Sequence, residues 1–331
     1  MPLDVICVGA VTVDTITTID RLPAEDGRVV GEPFTVAGGG PAATAAVALA
    51  RLGARVGFCG VVGDDDAGRL SRALLEEEGV DTTWLRVRPG IRTPQSMIMV
   101  SRGSGARTIV TSPATPPDDV PRGAARWLHA DHNGYAAARA ALDGRTSLSI
   151  DGGNPIPGLD LAGVELYAPT ATSLRAAFPA PAPGPATDRA PGSATDHAAD
   201  HAADPGADPG ADRATDPPAG LEASLRAAAA AGARQVVATS GGDGCYVLVA
   251  DELTHVPAVP VEPVSTMGAG DVFHGALLAG LVEGRPLVEA ARRANLVAAL
   301  SCRSLDGRSG IPRTTEVEHW LSTARPAPRS D

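Results

Sequence analysis

The stretch Ser265-Thr266-Met267-Gly268-Ala269-Gly270-Asp271-Val272-Phe273 holds the most specific chemistry in the chain. Beyond it Val272, Phe273, Ala276, Leu277, Gly280 and Leu281 recur at three- and four-residue spacing, which predicts a helix starting near Gly268. A Gly-Ala-Gly turn opening a helix leaves backbone N–H groups without acceptors and sets the positive end of the helix dipole behind them. Small residues let an anion approach that backbone. Asp271 beside such an anion hole is out of place for anion binding alone, because like charges repel. It fits a reaction in which the carboxylate takes a proton from a hydroxyl while the amides of Gly268, Ala269 and Gly270 stabilise a transferring phosphoryl group. The bland alternative is a glycine-rich helix start with Asp271 as its first-turn dipole partner.

A second glycine run, Gly38-Gly39-Gly40-Pro41-Ala42-Ala43-Thr44, also opens a helix. Gly38-x-Gly40-x-x-Ala43 fits the dinucleotide fingerprint, a strand follows, and Asp64 lies near the spacing of a ribose-binding acid. The run is preceded by Glu32-Pro33, however, and the N-terminal strand leads into Gly9-Ala10-Val11, which does not match. A nicotinamide-dependent enzyme using Gly38, Gly40 and Ala43 therefore stays open beside the phosphoryl-transfer reading.

Positioning these residues requires a scaffold. Asp4 to Gly9 is a nearly all-apolar run ending in Gly, as expected of a buried parallel strand. Val11 to Ile19 and Val29 to Val36 read as extended segments with one wet face. Pro41 to Leu52 is a helix with Pro in its first turn and Gly53 beyond its end. Val56 to Val62 reads as a strand and Ala67 to Glu78 as a helix. Gln95 to Val100 and Arg107 to Thr111 form a hairpin around Ser104-Gly105. Trp127 to Ala130, Thr146 to Ile150 and Val164 to Tyr167 are short apolar runs. Then come a helix over Leu221 to Ala231, a strand over Gln235 to Ala238, strands near Tyr246 and Thr254, and helices starting near Gly268 and Pro286. Such alternation implies an α/β fold with a mostly parallel sheet and helices on both faces. The segments near 11–36 and 95–111 make a separate small sheet.

Between Pro179 and Gly220 the composition changes: 42 residues hold 13 Ala, 9 Pro and 7 Asp, with no aliphatic residue larger than Ala and no aromatic. Asp recurs every fourth position from Asp196 to Asp216. With nothing apolar to bury, residues 179–220 are expected to be a disordered insertion, and His197 and His201 within it to be repeat drift rather than a metal pair. The other 289 of the 331 residues suit one domain. A net charge of −11 argues against nucleic acid, and no apolar run is long enough for a membrane helix. The N-terminus lacks the basic start of a secretory signal, so the cytoplasm is the expected compartment. Cys7, Cys59, Cys245 and Cys302 have no metal or disulfide spacing and read as buried thiols. All 28 basic residues are Arg, so no lysine can clamp a phosphate or form a Schiff base.

The order of these features resembles the ribokinase/PfkB family of carbohydrate kinases. The resemblance rests on Asp14 after the first strand, Leu22-Pro23, the Gly-Gly-Gly-Pro helix, Val62-Gly63-Asp64-Asp65-Asp66-x-Gly68 and the late Gly-Ala-Gly-Asp. Gly38 to Ala46, Gln95-Ser96-x-Ile98-Met99-Val100, Asp271 to Leu277 and Gly307-Arg308-x-Gly310-Ile311-Pro312 are most similar to the sulfofructose kinases. Arg107 to Val110 echoes the ketohexokinases.

The resemblance implies a three-layer α/β/α sandwich with a small β-sheet lid, formed by 1–178 and 221–325 with 326–331 as a tail. It implies ATP and Mg2+ as cofactors, a sugar as the other small-molecule partner, and the lid strands as an available homodimer interface. Asp271 would be the base and Gly268 to Gly270 the anion hole. Asp14, Gly38, Gly39, Gly40 and Gln95 would bind the sugar, and Arg28, Thr111 and Asn133 would stand where sulfofructose kinases read a sulfonate. Arg107, Thr239, Gly241, Gly242, Gly244 and Asn295 would serve the nucleotide. Only Arg28 of that trio is cationic, which favours a neutral ketose-like sugar over a sulfo-sugar. Ala43 stands where the family often has Asn. Thr170 and Ser173 fall where it has Asn-x-x-Glu, so the metal ligands are unassigned. Ser265 replaces an Asp, which leaves a monovalent cation open. These departures also admit a catalytically silent relative that binds sugar or nucleotide.

Overall fold

In the computed structural model, which describes residues 2–102, 107–180 and 217–323, the chain begins with β1 (Leu3–Val8), β2 (Thr12–Ile19), β3 (Thr35–Gly39), α1 (Pro41–Arg51), β4 (Val56–Gly63), α2 (Asp66–Glu77) and β5 (Asp81–Arg88). It continues through β6 (Gln95–Ser101), β7 (Arg107–Thr111), β8 (Ala125–Ala130), α3 (Tyr135–Ala140), β9 (Ser147–Gly152), β10 (Leu166–Pro169) and α4 (Ala171–Ala177). The last elements are α5 (Leu221–Ala230), β11 (Gln235–Thr239), β12 (Cys245–Val249), β13 (Glu252–Val256), α6 (Ala269–Val282), α7 (Leu287–Ser301) and α8 (Thr314–Thr323).

Strands that are apolar on both faces need helices on both sides. β1 accordingly lies inside a nine-stranded sheet of order β13-β12-β11-β10-β9-β8-β1-β4-β5. The strands from β11 to β5 in that order pair in parallel, and only β12 and β13 turn antiparallel at the edge. Alternation sends Val5 and Cys7 into a core shared with α1, α6 and α7, and Ile6 and Val8 into a second core with α3, α4 and α5. This is the expected layered sandwich. The four cysteines are buried and free.

The small sheet has the order β3-β2-β6-β7, with β2 parallel to β6 and the other pairs antiparallel. It differs from the sequence expectation at residues 29–34, which are irregular; only Thr35 to Gly39 forms the strand. β5 was not anticipated, because its exposed residues Asp81, Thr83 and Arg86 hide the burial of Thr82 and Leu85. Most of the alanine- and proline-rich insertion, with His197 and His201, lies outside the described residues, as do the turn at Ser104-Gly105 and the C-terminal tail. Among the described residues no helix is long and apolar enough to cross a membrane.

The acidic run before α2 has a structural task. Asp65 caps the helix by accepting from the Gly68 N–H at 2.9 Å, and it also accepts from the N–H and hydroxyl of Thr93 at 3.0 and 2.5 Å. These bonds hold its carboxyl below the usual carboxylate range and tie the start of α2 to the segment entering β6. Replacing Asp65 with Ala should lower stability by about 1–2 kcal/mol, the scale of a lost N-cap, with Asp65→Asn retaining part of it. Urea unfolding of the three proteins checks this.

Candidate active site

Asp271 lies in the first turn of α6. Gly268 precedes that helix at φ 70°, a left-handed value that favours glycine, and a Cβ there would stand 3.0 Å from the Gly307 Cα. The N–H groups of Gly270 and Asp271 are among the four that helix geometry leaves without an intrahelical acceptor. The space in front of Gly270 is open: an added Cβ would meet nothing within 4 Å. α6 can lie against α1 because the contact is made of small residues. A Cβ on Gly275 would stand 2.5 Å from the Ala45 carbonyl oxygen and 2.8 Å from the Ala48 methyl. The helix carrying the acid is thus held against the helix that follows the Gly38–Gly40 run.

The glycine run forms the neighbouring wall. Asp14 accepts from the Thr12 hydroxyl at 2.7 Å, and a Cβ on Gly39 would fall 2.0 Å from the Asp14 Oδ2. Gly39 is therefore required for this carboxylate to reach the cleft. Arg308, in the Gly307 to Pro312 stretch and without a role legible in the sequence, runs beneath the wall. Its Nη2 donates to the Gly39 carbonyl at 2.6 Å and its Nε to the Thr44 hydroxyl at 3.3 Å. The N-terminus of α1 is occupied by Asp131, which accepts from Ala10 and Ala42 on one oxygen and from Asn133 and Gly134 on the other. That carboxylate, together with the place of β3 in the small sheet, removes the helix end that a dinucleotide pyrophosphate would need.

Asp14, Gly38, Gly39, Gly40, Arg107, Thr111, Asn133, Gly268 and Asp271 all line one cleft of about 560 Å³ between the two sheets. The lid contributes residues from one face, since Asp14, Ser96 and Thr111 stand in register across β2, β6 and β7, as do Ile98 and Ile109. Arg107 Nη1 accompanies them and donates to the Thr266 hydroxyl at 3.0 Å. His132 and Asn154 also line the cleft.

Three expected site residues are placed elsewhere. Gln95 is exposed on the outer face of β6, and its neighbour Ser96 faces the cleft instead; a one-residue offset in a strand reverses the face. Arg28 is exposed in the irregular segment before β3 and is not part of the cleft wall, so the sulfonate-reading trio is not assembled. Asn295 is buried in α7 and its amide donates to the carbonyls of Val256 and Pro257 at 3.0 Å each, securing the chain after β13. Thr239 ends β11, and Gly241 and Gly242 form an exposed turn with no atom within 4 Å of an added Cβ; Gly244 follows at φ 93°. This turn is outside the cleft described above.

Burial raises the Asp271 carboxyl to about 7, assisted by the charges of Asp151 and Asp131 and opposed by His274 and Arg107. Asp151 is held at about 2, despite burial, by His274 and by the Gly153 N–H. His274 is pushed above the usual histidine value, while burial lowers His129 to about 4. Burial likewise raises Asp14 and lowers Arg308 to about 10. Asp151, Asp271 and His274 each place a donor atom within 4.8 Å of the others. This cluster does not suit magnesium, which prefers oxygen ligands and keeps several waters; its imidazole already faces the Asp151 Oδ2 at 3.3 Å. At the other position considered, Thr170 caps α4 and the Ser173 hydroxyl donates to the Gly153 carbonyl at 3.0 Å, with no carboxylate supplied by either.

An acid at an open helix N-terminus thus shares a cleft with a second carboxylate beside the small sheet. Residues 2–118 and 209–314 match the pfkB family carbohydrate kinase profile, and the chain belongs to that family. It is similar to a ribokinase of Bacillus subtilis (strain 168), with 29% identity over 318 residues covering 96% of this chain and 99% of that one. It is also similar to a fructokinase of Klebsiella pneumoniae, with 30% identity over 298 residues covering 87% and 89%. The fold matches an Arabidopsis thaliana ribokinase solved with ribose and ATP, at a TM-score of 0.74 and 20% identity over 97% and 99% of the two chains. The protein is a carbohydrate kinase with a ribokinase-like fold.

Raising the Asp271 carboxyl to about 7 has a consequence for stability. The unfolded carboxyl titrates near 3.8, so between these values the folded state holds a proton that the unfolded state has lost. The destabilisation is absent below about pH 4, grows as pH rises and is complete above pH 7. Asp271→Asn should therefore melt like the parent at pH 4 and exceed it at pH 8 by about 1–3 kcal/mol. Paired thermal melts at the two pH values test this.

Proposed function

We propose that the protein transfers the γ-phosphoryl group of ATP to a hydroxyl of a neutral, ketose-like sugar, with Asp271 as general base. The observation that carries this reading is the sharing of one cleft by Asp271, Asp14 and the open N-terminus of α6. Asp14, Ser96, Thr111 and Asn133 hold sugar hydroxyls, and Gly38 to Gly40 let the ring approach the backbone. One acceptor hydroxyl meets Asp271, which takes its proton as the oxygen attacks the γ-phosphorus. The bond from that phosphorus to the bridging oxygen breaks and ADP leaves with the electron pair. The amides of Gly270 and Asp271 and the Arg107 guanidinium stabilise the charge in transit; a single donor of this kind is commonly worth about 3 kcal/mol. Lysine is dispensable, because positioning and electrostatics supply most of this catalysis.

Thr239, Gly241, Gly242 and Gly244 carry the nucleotide, with the open surface over the glycines receiving it. Magnesium enters as the counter-ion of ATP. A neutral sugar is favoured over a sulfo-sugar because Arg28 is outside the cleft and Arg308 is committed to Gly39 and Thr44. The kinase unit comprises 1–178 and 221–325, and the free, buried cysteines suit a cytoplasmic setting. The lid supports a homodimer, since Val36, Met97 and Val110 form a row across its outer face at 56%, 63% and 61% exposure.

A screen of ATP and magnesium with ketoses, aldoses and sulfo-sugars, read as ADP release, should give turnover with a neutral sugar. Asp271→Asn should then retain nucleotide binding and lose at least about 10³-fold in kcat. ATP binding without turnover across the panel would instead favour a silent sugar- or nucleotide-binding relative. Light scattering should report a dimer that Met97→Asp converts to monomer.

A further inference from the structure

Behind the proposed base lies a buried pair that the reaction above does not use. His274 follows Asp271 by three residues on α6, so the two side chains occupy adjacent positions on the helix. The His274 ring is 4% exposed and its Nδ1 faces the Asp151 Oδ2 at 3.3 Å. Asp151 in turn is the last residue but one of β9 and accepts from the Gly153 N–H at 2.7 Å. Around it α6 presents Val272, Phe273, Ala276 and Leu277 to the core, so a polar ring here is an exception to the helix's own pattern. A second imidazole, His129 on β8, has its ring centroid 6.1 Å away and its Nδ1 3.0 Å from the Ser149 hydroxyl. The two histidines differ in their neighbours: His129 has a neutral hydroxyl, while His274 has donor atoms of two carboxylates, Asp151 and Asp271, within 4.8 Å.

We propose that His274, held as an imidazolium by Asp151, is a positioning residue that offsets the carboxylates around Asp271 and keeps the base able to ionise near neutral pH. The proposal rests on the assignment of Asp271 as base. The groups facing Asp271 are Asp151 from β9, Asp131 from the loop after β8, Arg107 from β7, Arg308 from the loop after α7 and His274 from its own helix. His274 itself is faced by Asp151, Asp271, His129 and the Ala168 carbonyl of β10. Two of the carboxylates facing the base are fixed by buried bonds, and Arg107 is on the lid. His274 and Arg308 are therefore the cations whose position does not depend on lid placement; Arg308 is committed to Gly39 and Thr44, while His274 faces Asp151, the carboxylate beside the base. Removing it leaves Asp151 as an uncompensated buried charge beside the base, which moves the base toward its protonated form.

The test reads the Asp271 carboxyl directly, by NMR titration of protein labelled with 13C-carboxyl aspartate, the resonance being the one missing from Asp271→Asn. His274→Gln should raise the titration midpoint by about one pH unit, and the acidic limb of kcat/KM should move with it. The double variant Asp151→Asn/His274→Gln, which removes both charges, should return the midpoint to the parent value or below it. A folded His274→Gln protein with an unchanged midpoint, or with a rate reduced equally at every pH, would overturn the proposal. Should His274→Gln not fold, the parent's own His274 resonance decides: an imidazolium still present at pH 7 supports the pairing, and a neutral ring at that pH refutes it. Absence of phosphoryl transfer by the parent protein would refute the kinase mechanism, while the carboxyl titration would still decide the role of His274.

Discussion

Negative charge is collected along one cleft, and the site is organised around the electrostatic conflict this creates. Asp14, Asp131, Asp151 and Asp271 all belong to the cleft or its immediate backing, yet each has a different neighbourhood. Asp131 is surrounded by four backbone N–H donors. Asp151 has an imidazole and an amide. Asp14 has a hydroxyl and the field of a buried guanidinium. Asp271 has the least direct satisfaction of the four and is raised to about 7. One residue type thereby yields carboxyls of very different proton affinity, separated by environment alone.

The cations are divided in a similar way. Arg308 is buried and spends its donors on Gly39 and Thr44, so it fixes the wall on which the sugar would rest. Arg107 is on the small sheet and donates to the Thr266 hydroxyl of the opposite wall. A guanidinium is well suited to both tasks, because its planar set of donors can bond several backbone and hydroxyl oxygens at once. A chain without lysine can therefore meet its phosphate with an arginine and a helix terminus.

Much of this was legible in the sequence where backbone geometry dictates residue type. Gly39 and Gly268 are needed for close approach and for a left-handed turn, so both glycine runs stood out. Apolar runs such as β1 and β4 announced a buried parallel sheet. Other features were not accessible because they depend on facing and distance. Gln95 and Ser96 differ by one position, and only the pairing of β6 with β2 decides which looks inward. Asn295 reads as a ligand-binding amide until Val256 and Pro257 take its protons. Asp151, His274 and Arg308 come from distant parts of the chain, and nothing local reveals that they converge. The one available hint was a polar Asp-Gly-Gly ending an apolar strand, with a lone histidine on an otherwise apolar helix.

The contact between α1 and α6 has a mechanical implication. Where Gly275 meets Ala45, backbone nearly touches backbone, and little compressible side chain remains between the two helices. Shear along such a seam is resisted, which holds the glycine wall and the helix bearing Asp271 in fixed relation. A displacement of the four-stranded sheet alone would leave the alignment beneath it undisturbed.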